Sequence, residues 1–351
     1  MDEPRPGDSR QLTYRDSGVD IDKQDEALRR IKQHVRSTKT AGVLSDLGNF
    51  GGLFALDGAA CESPVLVSSC DGIGTKLRLA FLTGIHDTVG RDLVNHCVND
   101  ILVQGAKPLF FLDYLATGKL EPGVLEAVVD GLARGCREAG CALLGGEIAE
   151  MPGFYADGEY DVAGFIVGVV DRKQLLDGSE IQSGDQLIGL PSAGLHTNGY
   201  SLARKIFFER AGLGVNDRVD ELEATVGEVL LGEHRSYREC LTQPLERGWV
   251  RGLAHITGGG IVDNVPRILP QGLAARVERD SWPLPPLFTY MQQRGNVPLG
   301  EMDRTFNMGL GMVVVCESAR AAELVGYLEA QGECPYRIGE VVPGESGVTY
   351  V

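Results

Sequence analysis

The segment Asp71-Gly72-Ile73-Gly74-Thr75-Lys76 places an acid, two glycines, a hydroxyl and a cation within six residues. Glycines at a strand end let backbone N–H groups approach an anion closely, and a lysine adds positive charge, so the segment can cradle phosphate. It is not a P-loop, because Gly-x-x-x-x-Gly-Lys-Ser/Thr is absent, and it does not fit the Rossmann fingerprint. Alone, it reads equally as a tight turn with a surface lysine.

Asp100 sits at the edge of the apolar arc of a helix predicted over 88–104, beside Leu93 and Cys97. A carboxylate facing partly into a core needs a cation, a metal or several donors; the plain alternative is a helix-edge Asp paired with a neighbour such as His96. Glu147 follows Gly145-Gly146 where a strand ends. Three acids at the ends of buried elements suit a Mg²⁺–triphosphate site, since Mg²⁺ takes a few carboxylates plus phosphate oxygens. Gly48-Asn49-Phe50-Gly51-Gly52 reads as a nucleotide lid or as a plain flexible loop. His196, between a strand and a helix near Asn198, has the side chain for acid/base work near neutrality, although a lone His is more often structural. Thr257-Gly258-Gly259-Gly260 opens a helix and suits a phosphate monoester or a simple glycine cap. No His-Glu-x-x-His, Gly-x-Ser-x-Gly or His-Arg-Asp motif is present.

The elements that position these residues read as alternating strands and helices. Helices are expected over 23–38, 88–104, 123–139 and 319–331, and from about 200; a helical stretch is expected near 220–243. Strands are expected at 65–67, 109–115, 142–144, 161–170, 186–190, 273–278, 310–316 and 336–342. Turn residues over 171–185 mark a boundary, giving a flexible arm (1–20), an N-terminal domain (21–172) and a C-terminal domain (173–351).

A chain of 351 residues can bury two cores, and its 43% hydrophobic and 23% charged residues are those of a globular protein. A net charge of −16 disfavours nucleic acid and anionic membrane, so an anionic substrate must be held by local amides, a few cations or metal ions. No apolar run approaches the roughly 20 residues that span a bilayer. The eight cysteines show no Cys-x-x-Cys spacing and read as reduced thiols of a cytoplasmic protein, with Cys70 the one to watch beside Asp71.

Taken in order, these loops resemble the phosphoribosylformylglycinamidine cyclo-ligase (aminoimidazole ribonucleotide synthetase) family of purine biosynthesis. The similarity runs from Tyr14-Arg15-Asp16-Ser17-Gly18-Val19-Asp20 through the Asp71–Lys76 loop, Cys97-Val98-Asn99-Asp100, Phe110-Phe111-Leu112-Asp113-Tyr114 and Gly145-Gly146-Glu147. It continues through Glu150-Met151-Pro152-Gly153, His196-Thr197-Asn198-Gly199-Tyr200-Ser201, the segment from His255 to Gly260, and Arg304-Thr305-Phe306-Asn307. The resemblance implies an α+β, two-domain PurM-like fold. Its N-terminal mixed sheet would close a β-barrel across a homodimer, and its C-terminal domain would be an α/β sandwich. It implies ATP-dependent ring closure of formylglycinamidine ribonucleotide, with Mg²⁺ and with a monovalent cation such as K⁺ left open.

Carried onto this chain, Asp71, Asp100 and Glu147 become metal ligands, and Lys32, Gly48, Gly51, Asp71, Gly72, Gly74, Thr75 and Lys76 nucleotide-binding residues. His196, Asp100 and Lys76 become catalytic, and His196, Asn198, Thr257, Gly258 and Gly259 hold the substrate. The chain departs from the family pattern at four places. Ser69-Cys70 stands for Gly-Thr, Ile148 for Thr, and Glu233-His234-Arg235 for Pro-Thr-Arg; Ala-Gly-Asn is absent after Asp22. Two other readings stay open: another ATP-dependent enzyme of the superfamily, of the thiamine-monophosphate kinase or selenophosphate synthetase type, and a non-catalytic nucleotide-binding paralogue.

Overall fold

The computed structural model describes residues 21–45, 51–56 and 61–351. The expected arm over 1–20 and Gly48 lie outside the described residues.

The first half runs α1 (Ile21–Ser37), β1 (Pro64–Gly72), α2 (Leu77–Thr83), α3 (Asp87–Leu102), β2 (Lys107–Thr117), α4 (Pro122–Ala139), β3 (Ala142–Glu150) and β4 (Tyr160–Asp171). Its sheet has the order β1-β4-β2-β3, with only β2 and β3 parallel. Alternation along β1 and β4 sends Val67, Val162 and Ile166 into a core with Leu93, Val94, Cys97, Val98 and Ile101 of α3. Two glycines let α3 and α4 cross closely. A Cβ on Gly90 would lie 2.1 Å from the Val128 carbonyl oxygen, and one on Gly131 2.0 Å from that of Asp87. On the opposite face Phe54 packs on Phe110 with ring centroids 5.4 Å apart, and among the described residues no helix covers the rest. Leu66 is 59% exposed there and Phe165 42%.

The second half contains β5 (Gln186–Pro191), α5 (Tyr200–Arg204), the ribbon β6–β7 (Arg218–Val219, Ala224–Thr225), α6 (Val226–Leu230), α7 (Arg238–Glu246), β8 (Gly252–His255), α8 (Gly260–Asn264) and β9 (Leu273–Val277). It ends with α9 (Pro286–Gly295), α10 (Leu299–Thr305), β10 (Leu310–Cys316), α11 (Ala321–Ala330), β11 (Tyr336–Pro343) and β12 (Val348–Tyr350). These strands form one six-stranded sheet of order β12-β9-β11-β5-β10-β8. Strand β10 is buried along its whole length, because the clusters on the two faces of the sheet both pack on it. The region near 220–243, expected to be helical, instead splits into the β6–β7 ribbon and two helices, since its apolar residues face two different partners.

The halves are joined by a second stripe of α3. Asp92, Asn95, His96 and Asn99 recur at helical spacing and are all buried. Asp92 accepts a hydrogen bond from the His234 N–H (2.6 Å), Asn95 donates to the His234 carbonyl (2.7 Å), and Asn99 donates to the Arg235 carbonyl (2.8 Å). The loop before α7 is thereby held by polar bonds whose partners are all inside.

Candidate active site

Asp71 is the penultimate residue of β1, and Asp100 lies on the last turns of α3. His96, one turn before Asp100, stands between them: its Nε2 lies 2.6 Å from Asp71 Oδ2 and 3.7 Å from Asp100 Oδ2. Ser69 donates to Asp100 Oδ2 (3.0 Å), and Nδ1 of His255, at the end of β8, lies 2.8 Å from Asp100 Oδ1. These residues line a cavity of about 490 Å³ between the two halves, together with Asn198, Thr257 and Arg267. Among the described residues Asn198 Nδ2 has no protein partner, so a donor is left for a ligand.

Electrostatics divides the carboxylates from the deeper histidines. Burial works against charge on Asp71, but its bond to His96 outweighs this and keeps it below the usual carboxylate range. Asp100 behaves likewise, with His255 and His96 outweighing its burial. Burial also opposes a charge on His96, yet the two acids hold its pKa above the ordinary value. Burial prevails at His255, and it drives His196 and His234 well below the ordinary imidazole range, with neighbouring cationic groups adding to the effect.

The sequence-based site is redistributed. Asp71, Asp100, Asn198 and Thr257 line one cavity. Lys76 is not at its mouth. Its ammonium is 0% exposed, 2.6 Å from Asp92 Oδ2, and donates to the carbonyls of Gly232 (2.7 Å) and His196 (3.3 Å), so all three protons are used inside. His196 is also fully buried: it stacks on His234 with centroids 4.1 Å apart, and its Nε2 accepts from the Ala193 N–H. Neither group reaches the cavity, because both serve the seam between the halves.

Glu147 is exposed on β3, at the opposite edge of the sheet from Asp71. The register Asp71–Gly164–Asp113–Gly146 puts three strand spacings, about 14 Å, between them, so the three acids do not form one cluster in a chain. Lys32 is exposed on α1, and neither it nor Gly51 lines the cavity. Gly72 ends β1, with its N–H taken by Asp71 (2.7 Å), while Gly74 and Thr75 are exposed in the short turn that leads to Lys76. Gly258 is exposed beside Asn198, and Gly259, at φ +97°, caps α8. Cys70 points to the face opposite Asp71, and its thiol is pushed up by burial and by Asp71, so it is not an activated nucleophile.

Sequence reading passed over His234, His255, Asp92 and Arg267 as site residues. One signal was available: His96 and Asp100 are four apart on one helix face.

Two family models cover this chain: the N-terminal domain of AIR synthase related proteins matches residues 56–170, and the C-terminal domain of that group matches 182–351. The phosphoribosylformylglycinamidine cyclo-ligase of Trichlorobacter lovleyi is 54% identical over 94% of each chain. That of Alkaliphilus metalliredigens is 52% identical over 96% of this chain and 97% of the relative. The chain belongs to the phosphoribosylformylglycinamidine cyclo-ligase family. It is accordingly a ligase with the two-domain fold of that family. The fold recurs in the thiamine-monophosphate kinase of Stenotrophomonas maltophilia (TM-score 0.66, 18% identity, 92% of this chain and 95% of that one). It also recurs in a hydrogenase maturation protein HypE crystallised with ATP (TM-score 0.67, 18% identity, 95% and 92%).

Proposed function

We propose that this chain closes the imidazole ring of aminoimidazole ribonucleotide from formylglycinamidine ribonucleotide at the expense of ATP. The observation that carries this reading is the meeting of Asp71 and Asp100 from one half with Asn198 and Thr257 from the other in a single cavity. An amide oxygen is a poor leaving group. Transfer of the γ-phosphoryl of ATP to the formyl oxygen releases ADP and creates a phosphate ester; the amidine nitrogen attacks that carbon, the C–O bond breaks, phosphate departs and the nitrogen loses a proton.

Asp71 and Asp100 both approach His96, and Asp71 is accessible from the cavity, so they can hold a divalent cation such as the Mg²⁺ that accompanies ATP. Mg²⁺ bound there would supply charge neutralisation for the phosphoryl group. Ser69 and His255 fix the Asp100 carboxylate, so its orientation does not depend on the ligand. Asn198 offers its open donor to the substrate, and Thr257 with the exposed Arg267 offers a hydroxyl and a cation to the ribose phosphate, in a chain whose net charge otherwise repels it. We assign the working unit as a homodimer in the cytoplasm, with the chain divided at residue 172. Leu66 and Phe165, exposed on the sheet face, support the dimer, and eight unpaired cysteines support a reducing compartment.

The test is ADP release by the purified protein with and without formylglycinamidine ribonucleotide. Release is expected only with the substrate, and Asp100→Asn is expected to abolish it with the circular dichroism spectrum unchanged. Release that ignores the substrate rejects the reading.

A further inference from the structure

Six histidines occur in the chain, and four of them (His96, His196, His234 and His255) cluster together, of which His96 and His255 line the cavity. Two groupings bring ligand atoms within 4.8 Å of one another: His196 with His234 and His255, and His96 with Asp100 and His255. The first fails on geometry. His196 and His234 stack at an interplanar angle of 24°, so their in-plane lone pairs run side by side and do not converge. Nε2 of His196 accepts a backbone N–H, which puts the neutral ring's proton on Nδ1.

The second grouping faces the cavity, and Asp71 lies beside it, 2.6 Å from His96 Nε2. We infer that His96, His255 and Asp100 form a mixed nitrogen–oxygen centre that prefers a transition-metal dication such as Zn²⁺, Mn²⁺ or Co²⁺ to Mg²⁺. The inference deepens the proposed function, since it concerns the ion held at that site, but its binding test does not depend on the reaction.

The groups behind the two imidazoles suit a bound ion. Asn99 Oδ1 accepts the Tyr237 N–H (3.0 Å), which fixes the amide so that its Nδ2 donates toward His234 Nε2 (3.2 Å). His234 Nε2 is therefore bare. His255 Nε2 lies 3.1 Å from it, and His255 Nδ1 faces Asp100. Metal on His255 Nδ1 moves the ring proton to Nε2, where His234 accepts it. Metal on His96 Nε2 leaves Nδ1–H donating to Thr197 Oγ1 at 2.7 Å. Both histidines then have an acceptor on the nitrogen away from the metal, the buttress that ligating histidines need. Imidazole ligands favour Zn²⁺, Co²⁺ and Mn²⁺ over Mg²⁺, which prefers oxygen and keeps its waters. Two of the departures from the family pattern, Ser69 and His234, fall in this shell: one holds Asp100 and the other backs His255.

The test uses the full chain, stripped with a chelator and titrated without nucleotide. One Co²⁺ per chain is expected, bound at least about tenfold tighter than Mg²⁺ by competition, with the intense visible absorption of a low-symmetry site. His96→Leu is expected to abolish that absorption, and Thr197→Val to weaken binding by about 10- to 100-fold. Should His96→Leu fail to fold, Cu²⁺ electron paramagnetic resonance of the unmutated protein decides, with hyperfine splitting from two imidazole nitrogens expected. A spectrum with oxygen ligands only, or Mg²⁺ competing on equal terms, overturns the inference and leaves substrate-dependent ADP release standing.

Discussion

Lys76 and Asp100 show how differently two charged residues of one neighbourhood act. Asp100 has a carboxylate held by Ser69 and His255 and a face on the cavity, so its loss belongs to chemistry. Lys76 is shut away with Asp92, each side chain 0% exposed, and it ties the turn after β1 to carbonyls of the second half. Breaking a buried ion pair from one side leaves the other charge desolvated, which costs about 3–5 kcal/mol. Lys76→Met is therefore expected to lower unfolding free energy by about that amount in urea titrations. An intact stability with a raised KM for ATP would instead put the ammonium on the phosphates.

At the scale of elements, the α3–α4 crossing is set by backbone contact. Gly131→Ala would press a methyl against the Asp87 carbonyl, and an overpacked core position costs about 1–3 kcal/mol. Gly123→Ala, on the same helix but in open space, is expected to be neutral or slightly stabilising. Equal denaturation midpoints for the two variants would count against so tight a crossing. Helix α3 shows what was legible in the sequence. Its apolar stripe announced the core, because Leu93, Cys97 and Ile101 have no other place to go. Its polar stripe, Asp92-Asn95-His96-Asn99, has equally clear spacing. Periodicity reports which residues share a side; it does not report that the loop around His234, more than a hundred residues later, will cover that side. Asp71, Asp100, Asn198 and Thr257 were legible because each ends an element beside glycines or on a helix edge. The histidine cluster was not, since it forms only when the two halves meet.

For the whole molecule the outstanding feature is the part of the four-stranded sheet's outer face that the described residues leave exposed. One side of that sheet is sealed by helices, while the other presents Leu66 and Phe165 to solvent. Phe165 sits in register between Cys70 of β1 and Leu112 of β2, so it lies inside the face and not at its rim. A contiguous apolar surface of this kind is a standing drive to association, and two copies of one curved sheet can cover each other with the isologous contacts of a two-fold dimer. A charge placed at Phe165 would be buried without a partner in such a dimer but solvated in a monomer. Phe165→Asp is accordingly expected to convert a dimer to a monomer in sedimentation velocity, with secondary structure retained. If the unsubstituted chain sediments as a monomer, or if Phe165→Asp leaves a dimer intact, this face is not the interface. Because Asp71 of β1 lies one residue along the same strand from Cys70 and faces the other way, the monomer would keep its two carboxylates in place. Ion binding at His96 and Asp100 should then survive Phe165→Asp, and calorimetric titration of that variant separates the assembly of the site from the assembly of the dimer.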